Sequence, residues 1–597
     1  MQHHQLTEHV VKPCVLERLY QLESSLLNEI SMLNGTEKVV ETEAYLMRQK
    51  IAYFSMEIGV DARLPTCCGG LGVLAGDTIK GSAEINFPLV GVSLRHHKGY
   101  FEQEIVNYQQ KEVLKRSNPF GVLRKRDEKV KVQIEGRTVV IGAEEYIIKN
   151  GNGNKVSIYF LDTRLSENEA EDREISETCY WMGKSTTYDE HQRHRLEQEV
   201  VLGIGGVRFL EKLGYNIRKY HMNEGHTALA TLEIAKKNDW DEEKTKKKFS
   251  FTTHTLVPAG HEIFPMSMVE SILKDSFPLD KVKEYGGQAN CLNMTKLAMR
   301  LSDYQNGVSK KNAEAAKEMF PNNKIDYITN AVHLGTWTSG SFKGLFDRYI
   351  PGWEENPEKL IDAMSLPSEE VWKAHLENKI ILLDFIEDEY GIDLDRNRLT
   401  LGWFRRIAEY KRPTLIFTER ERLKLIGSGK IQILMAGKAH PRDGYGKEAI
   451  TKIYEESRII NGAVPTVFIE NYGMEISPTL IAGVDVLLNT PRPPNEASGT
   501  SGMKALSNGV INVSSWDGWI DEEFKTKEGA IGWAFGYQHE TDAQNAHGLY
   551  NVLEQKVMPT FYNNREKWIE MQKHSISLAS YYNTNRMLKE YIERAWK

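Results

Sequence analysis

The sequence is poor in cysteine, and its few cysteines are not spaced as metal ligands are. The chain has 597 residues and five cysteines: Cys14, Cys67, Cys68, Cys179 and Cys291. Cysteine ligands of zinc usually come in pairs with two to four residues between them, and adjacent cysteines do not fit that spacing. The number is odd and the positions are scattered. We therefore predict reduced thiols, as is usual in cytoplasmic proteins.

Long apolar runs are also absent. The sequence contains no stretch of about 18 or more apolar residues, the minimum expected of a membrane-spanning helix. The first residues carry no basic stretch followed by an apolar run, so no signal peptide is predicted. These absences predict a cytoplasmic protein without a membrane partner.

Positive charge is not in excess. Lysine and arginine number 76, aspartate and glutamate 83, and the formal net charge is -7. Bulk binding of nucleic acid usually needs a basic face, so we predict no nucleic-acid partner. A small basic pocket for a phosphorylated ligand remains compatible with this balance.

Strands and helices alternate along most of the chain. Residues 14–47 have helical periodicity, and 125–162 alternate apolar and polar residues, which favours antiparallel strands. From residue 193, and again from residue 398, predicted strands alternate with predicted helices. Such alternation is typical of α/β proteins with parallel sheets.

The length predicts two to four domains at roughly 100–200 residues each. We predict an α/β fold with two doubly wound, Rossmann-like domains that face a cleft. The expected divisions are an N-terminal domain over 1–345, a helical bridge over 346–397, a C-terminal domain over 398–562 and one long helix over 563–597 that packs back on the N-terminal domain.

A run of small residues precedes a lysine after one predicted strand. The segment NEASGTSGMKALSNG, 495–509, follows the strand VDVLLNTP. Small residues allow the backbone to approach an anion, which the first amides of a helix bind. Lys504, one turn further on, can form a Schiff base with pyridoxal phosphate. By itself, the spacing favours a Gly/Ser-rich turn with a solvated lysine.

A dense group of cations ends another predicted strand. The segment WFRRIAEYKRP, 403–413, contains Arg405, Arg406, Lys411 and Arg412. Arginine offers a fork of donors to phosphate, and lysine offers a point charge. The segment therefore predicts a phosphate site, although a basic surface turn would have the same composition.

Two further segments have weaker patterns. The segment CCGGLGVLAGD, 67–77, superficially matches a dinucleotide fingerprint but lacks the acidic residue at the end of a following strand. The segments HMNEGHTA, 221–228, and TTHTLVPAGHEIFP, 252–265, do not have the H-E-x-x-H spacing of a metal site. We therefore predict no metal, and structural hydrogen bonds for His221, His254 and His261.

Taken together, these segments resemble the α-glucan phosphorylases, the family of the glycogen, starch and maltodextrin phosphorylases. The strings that carry the resemblance are YFSMEIGVDARLPTCCGGLGVLAGD, WFRRIAEYKRP and FIENYGMEISPTLIAGVDVLLNTP followed by NEASGTSGMKALSNGVINVSSWDGW. The resemblance covers roughly residues 51 to 520 and is to the compact, short-chain branch. It implies a GT-B-type glycosyltransferase architecture.

The resemblance also implies a pyridoxal 5'-phosphate site. In that family the lysine of the EASGT–MK stretch carries the cofactor as a Schiff base, and Lys504 holds that position. The other residues implied at the cofactor are Gly499, Thr500 and Ser501 at its phosphate, with Tyr472 and Arg405 beside it.

The substrate site follows from the same resemblance. The implied catalytic residues besides Lys504 are Arg406 and Lys411, which grip the substrate phosphate. The backbone amides implied to bind this phosphate are those of Gly69, Gly70 and Leu71. The side chains implied to bind the sugar are those of His226, Tyr410 and Glu496.

The implied reaction is the reversible phosphorolysis of an α-1,4-glucan by inorganic phosphate, which releases α-D-glucose 1-phosphate. The cofactor phosphate would relay a proton, and no allosteric control is carried over. A homodimer is common in the family. Two alternatives remain: a retaining glycosyltransferase that uses a nucleotide sugar, and a glucan-binding relative without catalysis.

Overall fold

The structure is a computed structural model that describes residues 49–117, 119, 121–151, 153–180, 187–255 and 260–597. The helix expected over 14–47 lies outside these residues. The strands of the N-terminal half are β1 Gln49–Phe54, β2 Leu89–Leu94, β3 Glu102–Val106, β4 Gln109–Val113, β5 Arg124–Lys125, β6 Val130–Ile134, β7 Arg137–Lys149, β8 Lys155–Asp162, β9 Asn216–Asn223, β10 Phe249–Thr252, β11 Ile263–Pro265, β12 Gly287–Gln288, β13 Cys291–Asn293, β14 Tyr304–Gly307 and β15 Ile325–Tyr327. Those of the C-terminal half are β16 Leu399–Phe404, β17 Ile431–Ala436, β18 Thr466–Ile469, β19 Val486–Asn489, β20 Ile511–Ser515 and β21 Gly532–Phe535.

The N-terminal half is built on one large sheet. Its order is β15-β14-β10-β9-β1-β2-β8-β7-β5, with β6 paired to β7. The strands from β15 to β8 are parallel, whereas β5, β6 and β8 pair antiparallel with β7. The antiparallel arrangement expected within 125–162 is therefore confirmed.

The C-terminal half has a smaller sheet that is parallel throughout. Its order is β18-β17-β16-β19-β20-β21. Counted from its own first strand, this is the order 3-2-1-4-5-6 of a doubly wound sheet. The parallel strands of the N-terminal sheet, β8-β2-β1-β9-β10-β14-β15, follow the same rule. The predicted fold class, two doubly wound Rossmann-like sheets, is confirmed, while the limits of the four divisions stay a prediction.

Helices cover both sheets. They are α1 Gly70–Glu84, α2 Ala170–Arg173, α3 Tyr188–Glu199, α4 Gly206–Lys212, α5 Leu229–Lys237, α6 Glu242–Lys246, α7 Met266–Leu273, α8 Leu279–Gly286, α9 Met294–Arg300, α10 Lys310–Met319, α11 Leu334–Trp337, α12 Gly340–Tyr349, α13 Ser368–Tyr390, α14 Arg420–Gly427, α15 Gly444–Ile460, α16 Ser477–Gly483, α17 Thr500–Leu506, α18 Trp519–Lys527, α19 Asp542–Val552, α20 Met558–Asn563, α21 Arg565–Ala579 and α22 Thr584–Glu590. A π-helical turn, Val200–Gly205, joins α3 to α4. Within the described ranges, no helix has the length and apolar character needed to cross a membrane.

The first helix depends on close packing against the loop that precedes it. A Cβ atom at Gly76 would lie 1.8 Å from the carbonyl oxygen of Gly59. Only glycine allows two backbones to approach this closely. The packing fixes α1, and with it the glycine segment at its start, against the end of β1.

The C-terminal segment is not the single helix that we predicted. Instead, α21 ends at Ala579, and α22 begins at Thr584, where Asn583 accepts a hydrogen bond from the Arg586 amide as an N-cap. The capping side chain satisfies a helix-start amide and so favours a new helix at this point. Beyond α22, Tyr591 and Trp596 contact the N-terminal sheet through Thr252 and His221.

A buried carboxylate joins the long helix α13 to the C-terminal sheet. Asp485 accepts hydrogen bonds from Lys379 Nζ at 2.6 Å, His375 Nε2 at 2.8 Å and the Thr400 amide at 2.7 Å. Burial by itself would raise the pKa of Asp485, but Lys379 and His375 lower it to about 2. The carboxylate is therefore charged and fully paired inside the protein.

We expect Asp485→Asn to lower the denaturant midpoint of unfolding strongly. The change leaves Lys379 buried without its anion, and removal of one partner from a buried pair costs about 3–5 kcal/mol. The control is Asp384→Asn on the same helix, whose partly exposed carboxylate lies 2.9 Å from the exposed Arg396 in the segment after the helix. Exposed pairs contribute about 0–1 kcal/mol, so equal midpoints for the two variants would contradict this account.

Candidate active site

The charged segments meet at the points where both sheets reverse their strand order. In the N-terminal sheet this point lies between β1 and β9, and in the C-terminal sheet between β16 and β19. Ligands of doubly wound sheets bind beyond the carboxyl ends of such strands. The glycine segment follows β1, and the cationic segment follows β16. The segment that leads to Lys504 follows β19.

The cations after β16 divide into buried and exposed residues. Arg405 is buried and donates a hydrogen bond to Asn489. Lys411 is also buried, with Nζ 4.7 Å from the centre of the Tyr410 ring. Arg406 is exposed and interacts electrostatically with Tyr410 and Tyr100. The exposed arginine is therefore accessible to an incoming anion.

Glu496 is the carboxylate that pairs with both buried cations. Its carboxylate forms an ion pair with Lys411 and lies 3.8 Å from Arg405. Burial by itself would raise the pKa of Glu496, but Lys411 and Arg405 lower it below its ordinary value. The family resemblance implies that Lys411 binds phosphate and Glu496 binds sugar hydroxyls, whereas in the structure the two side chains pair with each other.

Lys504 lies inside the protein on α17. Its side chain is buried, and Nζ lies 3.7 Å from the centre of the Trp337 ring. Burial lowers the pKa of Lys504 to about 8, although Asp77 and Cys67 act in the opposite direction. Trp337 donates a hydrogen bond of 2.8 Å to Asp77 on α1. The lysine is thus held between the two halves, with a neutral amine accessible at mildly alkaline pH.

The loop before Lys504 is shaped by glycine. Gly499 has a φ of 90° and precedes α17, whose first residues are Thr500 and Ser501. Gly518 has a φ of 57°, and a Cβ atom there would lie 2.3 Å from the Ser498 carbonyl oxygen. The half-buried Tyr472 interacts electrostatically with Arg405. The residues predicted for one anion site therefore lie on three segments: the loop into α17, the position after the neighbouring strand β16, and the stretch after β18.

Asp517 holds the backbone of Glu496 through a hydrogen bond, a role that was not predicted from the sequence. It accepts hydrogen bonds from the Glu496 amide at 2.8 Å and the Gly518 amide at 2.9 Å. Burial raises the pKa of Asp517 to about 7. The nearest signal in the sequence is the WDGW string, in which an aspartate precedes a glycine soon after β20.

The glycine segment is the first turn of α1, and a second carboxylate lies behind it. Glu57 Oε2 accepts hydrogen bonds from the amides of Cys68 at 2.6 Å and Gly69 at 2.9 Å. Gly70 and Leu71 are the first two residues of the helix, and amides at these positions have no partner within a helix. The predicted phosphate donor Gly69 is thus engaged by Glu57, a residue that sequence reasoning did not select.

The histidines form hydrogen bonds and contacts, as expected of neutral imidazoles. His226 lies 3.7 Å from Glu262, and burial lowers its pKa to about 4. His254 Nε2 lies 2.7 Å from Asn223, and burial lowers its pKa to about 3. The other two histidines also have partners: His221 contacts Ser250, and His261 contacts Thr295.

Glu224, which sequence reasoning also missed, anchors this histidine segment. It has a φ of 78°, and its carboxylate accepts hydrogen bonds from the amides of Gly225 and His254. A non-glycine residue in this left-handed region is usually held there by its surroundings. Its place at the end of β9 is the signal that could have identified it.

The cysteines correct one prediction. Cys68 and Cys179 form a disulfide, although they are 111 residues apart in the sequence. Reduced thiols were predicted for all five cysteines because their spacing has no pattern, and spacing does not report pairs that the fold brings together. Among the described residues, Glu57, Cys68 and Cys179 are also the one group whose ligand atoms lie close enough to hold a metal ion.

Known proteins are similar to this chain over most of its length. A family model described as carbohydrate phosphorylase matches residues 56–199 and 213–553. The chain is 39% identical over 603 residues to the maltodextrin phosphorylase of Thermococcus litoralis, which covers 92% of this chain and 70% of that protein. It is 35% identical over 642 residues to the glycogen phosphorylase of Aquifex aeolicus, and the alignment covers 96% of this chain and 89% of that protein. An uncharacterised protein of Methanocaldococcus jannaschii is 30% identical over 560 residues, and the alignment covers 92% of this chain and 99% of that protein.

The chain belongs to the carbohydrate phosphorylase family. The family model covers most of the chain, and the relatives align over nearly all of it. The resemblance inferred from the sequence motifs is therefore confirmed.

We expect the stability of Asp517→Asn, relative to the wild type, to rise between about pH 4 and about pH 8. The folded pKa, about 7, lies above the ordinary 3.8, so the native state binds this proton more tightly than the unfolded state does. The contribution of Asp517 to stability therefore falls as pH rises through this window. Denaturant midpoints across this window test the prediction.

The variant keeps one oxygen for the Glu496 amide. It loses the oxygen that accepts a hydrogen bond from the Gly518 amide. This loss shifts the denaturant midpoint equally at every pH, so the pH dependence isolates the effect of the buried charge. If the difference in denaturant midpoint between variant and wild type does not change with pH, the pKa of Asp517 is not raised in the folded protein.

Proposed function

We propose that the chain is an α-glucan phosphorylase that carries pyridoxal 5'-phosphate on Lys504. The reaction would be the reversible phosphorolysis of α-1,4-glucan by inorganic phosphate, which yields α-D-glucose 1-phosphate. One observation carries the proposal: a buried lysine of low pKa follows β19 and a group of cations follows the neighbouring strand β16, in a member of the carbohydrate phosphorylase family. Relatives named maltodextrin phosphorylase and glycogen phosphorylase support the class of substrate.

The residues present fit the cofactor. Attachment to an aldehyde needs a neutral amine, and burial favours that form of Lys504. The Trp337 ring and Asp77 border the lysine. The buried Nε of Arg405 has no hydrogen-bond partner among the described residues. A buried donor left unpaired is costly, so an anion at Arg405 would satisfy it.

The substrate phosphate would bind where the exposed Arg406, Lys411 and the first amides of α1 converge. Arg406 interacts electrostatically with Tyr100 and Tyr180, which places it beside the N-terminal half. Lys411 is held by Glu496. Phosphate would therefore compete with the Glu496 carboxylate for this lysine, and the released carboxylate would be free to accept hydrogen bonds from sugar hydroxyls.

The chain supplies charge and position for the reaction. When bound, the cofactor supplies a phosphate group that exchanges a proton with the substrate phosphate. Arg406 and Lys411 would hold the substrate phosphate against the repulsion of that second anion and stabilise positive charge that develops on the sugar through the resulting ion pair. Neutral His226 would donate to or accept from a sugar hydroxyl without adding charge.

The direct test is to incubate the purified protein with maltodextrin, with and without inorganic phosphate, and to measure glucose 1-phosphate. Release that depends on phosphate supports the proposal. Transfer from a nucleotide sugar by protein without cofactor would support the glycosyltransferase alternative. Glucan binding without phosphorolysis by cofactor-loaded protein would support a non-catalytic relative. A homodimer and a cytoplasmic location stay predictions.

We expect Lys504→Ala to lose both the absorbance of bound cofactor and nearly all phosphorolysis, because no other amine occupies this position in α17. The control is Lys525→Ala, in which an exposed lysine that pairs with Asp521 at 2.9 Å is removed. The control should keep its cofactor. Full activity of a cofactor-free Lys504→Ala protein would overturn the proposed role of the lysine.

We expect Glu496→Gln to lower KM for phosphate and to lower kcat. The first effect follows because Lys411 and Arg405 lose the carboxylate that competes with phosphate. The second follows because the sugar loses a charged acceptor. Steady-state kinetics with phosphate varied at saturating maltodextrin separate the two effects, and a raised KM for phosphate would contradict the competition.

A further inference from the structure

The disulfide lies directly behind the glycine segment. Cys68 immediately precedes Gly69, the residue before α1, and is partly exposed. Cys179 is fully buried, and the Cα atoms of the two residues are 6.8 Å apart. The pair therefore links the start of α1 to a distant stretch of chain, Thr178–Tyr180.

This distant stretch is fixed to the same region by hydrogen bonds. The Cys179 amide donates to the Gly99 carbonyl at 2.9 Å, and Gly99 is packed so tightly that a Cβ atom there would lie 2.4 Å from Pro65. Tyr180 Oη donates to Glu57 Oε1 at 2.8 Å. Glu57 thus contacts the glycine segment through one oxygen and Tyr180 through the other.

We propose that Cys68 and Cys179 form a reversible thiol–disulfide pair that controls how tightly the glycine segment binds the substrate phosphate. The second part of this inference rests on the proposed function. The disulfide holds Cys68 beside the stretch Thr178–Tyr180. It thereby maintains the hydrogen bonds that the Cys68 and Gly69 amides donate to Glu57. Reduction removes this covalent restraint and lets the Gly69 amide turn from Glu57 to phosphate.

The exchange needs a disulfide oxidant of low molecular weight, such as oxidised glutathione. The Cys68 thiolate attacks one sulfur of the oxidant, which forms a mixed disulfide and releases one thiolate. The Cys179 thiolate then attacks Cys68 Sγ and releases the second thiolate. Two protons leave the protein, and its two electrons reduce the oxidant to two thiols. A dithiol reverses the sequence by attack on the partly exposed Cys68.

The neighbouring cysteine is placed differently. Cys67 Sγ lies 3.4 Å from the Gly69 carbonyl oxygen, on the side of Lys504. Burial raises the pKa of the Cys67 thiol well above its ordinary value, and this thiol is not part of the disulfide. Cys291 lies on β13, away from the glycine segment. The two adjacent cysteines therefore have separate environments, and of these two Cys68 is the one that pairs with Cys179.

The first measurement is the linkage itself. Protein equilibrated with oxidised glutathione or with dithiothreitol is alkylated and digested, and its disulfide peptides are identified by mass spectrometry. We expect a Cys68–Cys179 peptide after oxidation and two alkylated thiols after reduction. Absence of this peptide from oxidised, folded protein would overturn the proposal. Stoichiometric binding of Zn²⁺ by the reduced protein, lost in Cys179→Ser, would show a metal site of Glu57, Cys68 and Cys179 instead.

The second measurement is the KM for inorganic phosphate of wild-type protein in the two redox states. We expect KM to be about tenfold lower after reduction, the order of magnitude that one hydrogen bond to a charged group contributes. Cys179→Ser and Cys68→Ser should show the same KM with oxidant and with reductant. The control, Cys291→Ser, should respond as the wild type does.

The two failures can be distinguished. Phosphorolysis with an equal KM in both states would overturn the control of phosphate binding. Absence of phosphorolysis in both states, together with the reversible peptide, would overturn the proposed function and leave the disulfide pair intact. Because the wild type is compared with itself, the test holds even if a serine variant fails to fold.

Discussion

The burial of cations at the carboxyl edge of the C-terminal sheet is the constraint on which the site depends. A charge removed from water costs several kcal/mol unless an opposite charge offsets it. Arg405 and Lys411 are both buried, and Glu496 provides the anion that they need. The backbone of Glu496 is held in turn by Asp517. The cations are therefore kept in place by a carboxylate that another anion can replace.

The strand order explains why these groups meet. Each sheet reverses direction at one pair of strands, and each reversal leaves a crevice that the connecting helices do not cover. In the C-terminal sheet the crevice receives the cations after β16 and the loop after β19. In the N-terminal sheet it receives Glu57 and Glu224. Asp77 and Trp337 connect the two crevices through the contact of the indole ring with Lys504.

Much of this arrangement could be predicted because it is local in sequence. Periodicity identified β1, β2, β9 and the strands β16 to β20 of the C-terminal sheet but missed β21, and short strings identified Lys504 and the cations. What could not be predicted depends on contacts between distant residues. Glu57 acts on Gly69 twelve residues away, Asp517 acts on Glu496 across a strand and a helix, and Cys68 meets Cys179. The end of α21 was missed because apolar periodicity continues past the capping residue Asn583.

Glu57 and Glu496 make similar contacts on the two sides of the site, each with donors of its own half. Glu57 engages the Gly69 amide, and Glu496 engages Lys411, so each half provides a carboxylate for the donors assigned to phosphate. A phosphate group carries more charge than a carboxylate and offers three strong acceptor oxygens. Under the proposed function, one phosphate would replace both carboxylates at once. Under the proposed function, binding of phosphate thus couples the two halves. A restraint that keeps the Gly69 amide hydrogen-bonded to Glu57 weakens that coupling.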